Sequence, residues 1–171
     1  KGEYFFQDVY GEVPFYVEID KTKGQLFGQL IKIKFLSPTQ YELSVDFGEA
    51  TSASIIQYSD LSVKPVNVSG GEFKRKHKIN EEVNLPFLNL KLIIKPDVYE
   101  YTNQEYYVRF DDFNSTVAAY RGIDVSADAK ALSVIRLQME GSNKFRLVEY
   151  LNTTVDVLKR IQLDSKNQFA N

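Results

Sequence analysis

Ser133-Val-Ile-Arg-Leu-Gln-Met-Glu140, then Gly141-Ser-Asn143, then Lys144-Phe-Arg-Leu-Val-Glu-Tyr-Leu-Asn-Thr-Thr-Val-Asp-Val-Leu-Lys-Arg-Ile161 is a stretch whose hydrophobic period changes halfway. Ile135, Leu137 and Met139 alternate with Arg136, Gln138 and Glu140, the period of a half-buried strand. Beyond the Gly-Ser-Asn break, Leu147, Val148, Leu151, Val155, Leu158 and Ile161 recur at three- and four-residue steps. That spacing predicts a helix capped by Ser142 or Asn143, with one apolar stripe and an outer face of Glu149, Asp156, Lys159, Arg160, Asp164 and Lys166. Asp156 and Arg160, four apart, form a weak supporting pair.

Leu163-Asp-Ser-Lys-Asn-Gln-Phe-Ala-Asn171 offers no clear glycine or proline stop, so the helix is expected to run to Asn171. The opening Lys1-Gly-Glu-Tyr-Phe-Phe has no initiator methionine and enters a strand-like pattern at once. Together these predict a piece of a longer protein.

Upstream, the pattern is antiparallel β. Phe15, Val17 and Ile19 alternate with Tyr16 and Glu18; Ile31, Ile33 and Phe35 alternate with Lys32 and Lys34; Leu43 and Val45 continue the theme. Ser37-Pro-Thr-Gln40 between the last two runs is a hairpin turn. A second strand-rich block runs from about Ala53 through one long extended run, Val83 to Lys95, and Pro96-Asp97 then punctuates the chain. From Gln104 a strand through Tyr106, Val108 and Phe110 leads to a short helix capped near Asp111-Asp-Phe-Asn-Ser115 and ending at Gly122. Strands at Ile123–Ser126 and Leu132–Glu140 follow. The expectation is an α+β fold: a mainly antiparallel or mixed β region over 1–100, then a β-α-β-β-α base element over 101–171 leading into a long C-terminal helix.

Composition narrows the chemistry. The 171 residues are 43% hydrophobic, enough for a sizeable core, and carry 21 basic against 23 acidic side chains. A net charge of −2 supplies no bulk field for nucleic acid or an anionic membrane. Without cysteine there are no disulfides, thiolate metal sites or thiol nucleophiles, and no apolar run reaches the roughly 20 residues that span a bilayer.

His77 is the only histidine, hence the only base available to a Ser-His-Asp triad; it reads as a solvated hairpin tip. Asp111 and Asp112 are sequence neighbours, which a strand would point apart, and they read as a helix cap and its dipole partner rather than a catalytic pair. No metal-ligand spacing is present, and the Gly70-Gly71 pair lacks the phosphate-loop pattern, so no metal or cofactor is expected. Two interaction surfaces remain. Leu147, Leu151, Val155, Leu158 and Ile161 form a packing or oligomer stripe, and Lys74, Arg75, Lys76 and Lys78 a patch for an anionic glycan, unless that run only keeps a strand edge solvated.

Tyr106-Tyr-Val-Arg-Phe-Asp-Asp-Phe-Asn-Ser115 through Ala119-Tyr-Arg-Gly122, and Val134-Ile-Arg-Leu-Gln-Met-Glu-Gly141 with Leu151-Asn152 and Lys166-Asn-Gln168, resemble the periplasmic region of chain-length determinant proteins. These are the polysaccharide co-polymerases, and the likeness is to the larger bacterial forms that often end in a cytoplasmic tyrosine autokinase. Tyr10-Gly-Glu-Val-Pro-Phe-Tyr-Val-Glu-Ile19 is similar to the segment that opens their β-rich insert. The resemblance implies an inner-membrane protein with two transmembrane helices outside this chain, a periplasmic α/β base and a helical arm. It also implies a homo-oligomer that sets polysaccharide length in contact with a polymerase or with outer-membrane export machinery, the polysaccharide itself being a candidate ligand. It implies no catalytic residue in this part, and this chain has no kinase motif. The alternative from the residues alone is a carbohydrate-binding β-rich module that grips its polymer with surface Tyr or Phe and the basic run.

Overall fold

Proline lies in two of the hairpin turns, at Pro38 and Pro86, while Leu61 and Asn80 take positive φ in two other turns. A computed structural model describes residues 7–96, 98, 100–128 and 131–169. Strands β1 (Phe15–Ile19), β2 (Gly24–Leu26), β3 (Ile31–Ser37), β4 (Gln40–Asp46) and β5 (Ser52–Gln57) come first. β6 (Ser62–Asn67), β7 (Glu72–Lys78), β8 (Glu82–Leu85), β9 (Leu88–Ile94) and β10 (Glu105–Val108) follow. Helix α1 (Phe113–Ala119), strands β11 (Asp124–Asp128) and β12 (Ala131–Gln138), and helix α2 (Lys144–Phe169) complete the order.

The class is α+β. The strands form four sheets, β10-β3-β4-β7, β1-β9-β8, β2-β5-β6 and β11-β12, whose strand pairs are all antiparallel. Ser37 pairs with Gln40 around Pro38-Thr39, the turn expected from sequence. The expected single run from Val83 to Lys95 is instead a hairpin: Leu85 pairs with Leu88 around Pro86-Phe87, because proline cannot donate to a ladder. Of the punctuation expected at Pro96-Asp97, Asp97 lies outside the described residues, as do Lys1–Phe6 and Ala170–Asn171, including the last step of the expected helix.

The chain divides into two compact units, Val13–Ala119 and a second made of the N-terminal segment up to Glu12 with the stretch from Tyr120 onward. The division falls at residue 119 and not near 100, because β10 pairs with β3 through Glu105↔Lys34 and Val108↔Ile31 and so belongs to the first unit's sheet.

In that first unit the alternating residues meet in one core. Ile31, Ile33 and Phe35 of β3, Tyr41, Leu43 and Val45 of β4, and Leu88, Leu90 and Leu92 of β9 are all buried. The Phe35 ring lies 5.6 Å from Phe15, 5.0 Å from Tyr101 and 6.1 Å from Tyr106, while Phe87 meets Phe47 at 5.2 Å and Phe73 at 5.1 Å. Aromatic contacts of this geometry thus join the β10-β3-β4-β7 sheet to the β1-β9-β8 sheet.

A buried amide joins the third sheet. The β1–β9 ladder stops at Ile19↔Leu90, so the main-chain groups of Asn89 lie past the end of β1. Gln25 of β2, fully buried, replaces the missing strand: its Nε2 donates to the Asn89 carbonyl at 2.7 Å, and the Asn89 N–H donates to its Oε1 at 3.2 Å. Asn89 Nδ2 in turn donates to the carbonyls of Gly24 (3.0 Å) and Leu85 (3.3 Å).

The second unit is built around the start of α2. Asn143 is its cap: its Oδ1 accepts from the Arg146 N–H at 3.0 Å, and its Nδ2 donates to the carbonyls of Asp8 (2.9 Å) and Tyr10 (3.3 Å). Arg146 adds an ion pair to Asp8 at 3.1 Å and lies 4.4 Å over the Tyr10 ring. Between them Gly11 holds φ +85°, and a Cβ there would sit 2.9 Å from that of Phe145, so segment and helix meet where only glycine fits.

Candidate functional site

The catalytic candidates disperse. His77 is no hairpin tip. It lies within β7, pairs with Tyr41 across the ladder, stacks 5.8 Å from that ring and is only 9% exposed. Strand period explains the error, because Phe73 and His77 share a face and Phe73 packs on the core. Burial, then the nearby Arg75, lowers the His77 pKa below its ordinary value, and no hydroxyl or carboxylate among the described residues bonds its Nε2. Asp112 caps α1 by accepting from the Ser115 N–H at 2.7 Å, and hydrogen bonding from the Ser115 side chain, then from that N–H, holds its carboxyl below the usual range. Asp111 instead forms a two-point pair with Arg109 at 2.7 and 3.1 Å. Among the described residues no group of three or more His, Asp or Glu side chains converges as metal ligands do.

The basic run is split between the two faces of its strand. Lys74, Lys76 and Lys78 point to the outer face of the β10-β3-β4-β7 sheet and Arg75 to the other, as the strand period requires. Across that outer face the ladder sets Glu105, Lys34, Glu42 and Lys76 side by side, in alternating sign. Lys32 and Lys34 reach Glu105 at 2.7 and 3.3 Å, and Lys74 reaches Glu72 at 2.9 Å. Hydrogen bonding to Glu105 raises the Lys32 pKa, and the same bond lowers that of Glu105. The surface carries charges of both signs, with Lys74 of the basic run in an ion pair.

The helical stripe is brought together, and it gains residues the sequence reading left out. Leu147 and Leu151 are half-buried, but exposure then climbs along the stripe, to 36% at Val155, 47% at Leu158 and 58% at Ile161. Opposite Leu151, Val155 and Leu158 stand Ile135 and Leu137 of β12, and the two elements enclose an open groove of about 410 Å³ that also meets Asn152, Lys159 and Gln162. Ile135 is itself 68% exposed. The alternation of β12 was legible in sequence, but nothing there paired that strand with this helix. The ion pair on the outer face is Asp156 with Lys159 at 3.8 Å, in place of the expected Asp156–Arg160 pair.

α2 is 26 residues long, about 39 Å at 1.5 Å per residue. Its charged outer face keeps it well short of membrane character, and no described helix is long and apolar enough to cross a bilayer. The stripe therefore faces water with no cover among the described residues over its last exposed positions, Leu158 and Ile161. No family model, curated protein or solved structure matches this chain.

Proposed function

We propose that this chain is the non-catalytic periplasmic region of a bacterial inner-membrane polysaccharide chain-length regulator or export protein. It acts through homo-oligomerisation and through contacts with the polymerase or the outer-membrane export machinery, and any kinase chemistry belongs to other parts of the full protein. The observation that carries this reading is the α2 stripe, whose apolar side chains become more exposed as the helix proceeds. A stripe of that kind is what an assembling partner covers. The similarity of Tyr106–Ser115 and Val134–Gly141 to chain-length determinants supplies the biological setting.

Energetics bound how strongly this piece associates. Burying the remaining exposure of Val155, Leu158 and Ile161 contributes about 2–4 kcal/mol per chain. Two chains together gain roughly 4–8 kcal/mol, which only meets the association cost of about 4–15 kcal/mol. Self-association through this stripe alone is therefore weak, and a stable assembly draws on further surface.

The test has two arms. Sedimentation velocity over a wide concentration range should show reversible self-association that Leu158→Asp with Ile161→Asp abolishes. In a bacterium whose genome encodes the chain, the same pair of changes should shift the length distribution of its surface polysaccharide while polymer is still made. An unchanged length distribution with the protein present at normal abundance refutes the assignment.

A further inference from the structure

The outer face of the β1-β9-β8 sheet carries charged and amide side chains together with an exposed tyrosine. Tyr16 and Glu18 of β1 stand on it two positions apart, about 7 Å along the strand. Ladder register sets Glu18 beside Lys91, Lys91 beside Glu82, and Asn89 beside Asn84. Lys23 closes the end by donating to Asn84 Oδ1 at 3.1 Å, and Lys91 approaches Glu18 at 3.7 Å. These groups rim a shallow hollow of about 230 Å³. Tyr16, on the same face two positions before Glu18 and outside the hollow's own lining, is 54% exposed, with the Lys95 ammonium 5.1 Å from its ring centroid.

The chemistry of the rim removes most ligand classes. The carboxylates do not converge as metal ligands do. With Lys95 at Tyr16, the carboxylates Glu18, Asp20 and Glu82 are balanced by Lys23, Lys91 and Lys95, so a phosphate or sulfate meets no net attraction. An apolar ligand would have to displace water from charged and amide groups without replacing their hydrogen bonds. An extended peptide would pair with a strand edge, whereas the hollow lies across a sheet face. Hydroxyl groups both donate and accept, so a neutral polyol satisfies carboxylates, amides and ammonium groups at once and adds no charge. Its C–H face can lie on an exposed aromatic ring. The volume is below the roughly 300–1,000 Å³ of drug-sized sites, which suits one ring of a longer chain.

We propose that this face is a subsite for a neutral saccharide, with Tyr16 as the stacking platform and Glu18, Glu82, Asn84 and Lys23 contacting hydroxyls. It is independent of the assembly reading, since it uses neither α2 nor self-association. It also departs from the expected basic-run patch, which lies on a different sheet.

The test is an NMR titration of the full 171-residue chain with maltopentaose, cellopentaose and mannopentaose as neutral probes and oligogalacturonate as the anionic one. At least one neutral probe should give saturable shifts centred on Tyr16, Glu18, Asn84 and Lys91, with millimolar affinity. Tyr16→Ala should weaken that affinity roughly tenfold. Glu82→Gln should also weaken it, and Lys64→Ala on β6 should leave it unchanged. Absence of saturable shifts with all three neutral probes overturns the proposal. So does binding of oligogalacturonate alone, shifts mapping to β7, or affinity that survives Tyr16→Ala.

Discussion

Gln25→Leu tests the account of the core most directly. The wild-type side chain is fully buried and makes two bonds to the main chain of Asn89, at 2.7 and 3.2 Å. Leucine fills similar space but leaves a buried N–H and a buried C=O unpaired, at about 1–3 kcal/mol each. Its greater apolarity returns roughly 1.5–3 kcal/mol, so the net loss is about 1–3 kcal/mol, a sizeable part of a domain's typical 5–15 kcal/mol. Gln25→Glu sharpens the test. A carboxylate accepts from the Asn89 N–H but has no proton for the carbonyl, and burial raises its folded pKa above the unfolded value near 4.3. The folded state then binds more protons than the unfolded state, so this variant's stability falls as pH rises through that interval and is recovered below it. Urea unfolding followed by circular dichroism at several pH values reads both effects. If Gln25→Leu stays within about 0.5 kcal/mol of the parent, or the Gln25→Glu deficit does not change with pH, the strand-substitute role of Gln25 is wrong.

The remaining expectations concern other sites. His77 has a lowered pKa in the fold, so the unfolded chain takes up its proton first, and the His77 contribution to stability is full above about pH 6.5 and declines as pH falls through that value. The groups bearing on it are Arg75, which opposes protonation, and Glu81, which favours it. His77→Phe should flatten the fall in urea midpoint between neutral and mildly acidic pH, and equal slopes would count against the buried neutral imidazole. Asn143→Ala removes the α2 cap and two bonds to the N-terminal segment, and should cost about 2–3 kcal/mol while speeding amide exchange in the first turn of α2; unchanged exchange would dissociate the cap from helix stability. Lys74→Ala and Lys76→Ala, on an exposed face of mixed charges, should each shift stability by less than about 0.5 kcal/mol, and a larger loss would show the ladder to be more than a solvated surface.

Local pattern made much of this legible. The alternation of Phe15, Val17 and Ile19, and of Ile31, Ile33 and Phe35, points to the core sides of β1 and β3, and the Pro38-Thr39 turn sits where turn chemistry puts it. Local pattern narrows the cap of α2 to Ser142 or Asn143, and Asn143 is the one. The misreadings share a cause. Val83–Lys95 looked like one strand because its apolar residues continue on both sides of Pro86. His77 looked solvated because four cations surround it in sequence, whereas in a strand alternate neighbours lie on the opposite face.

The sequence by itself determined the α+β class, the core faces of β1 and β3 and the apolar stripe of α2, because these follow from the periods of 2 and 3.6 along the chain. Tertiary structure alone decided partners. It set Glu105 beside Lys32 and Lys34, placed Ile135 and Leu137 opposite Leu151, buried Gln25 as a substitute strand, and gathered Glu18, Glu82 and Asn84 around one hollow. Those pairings join residues up to 73 positions apart, as with Lys32 and Glu105, and no local period encodes which distant strand closes against which.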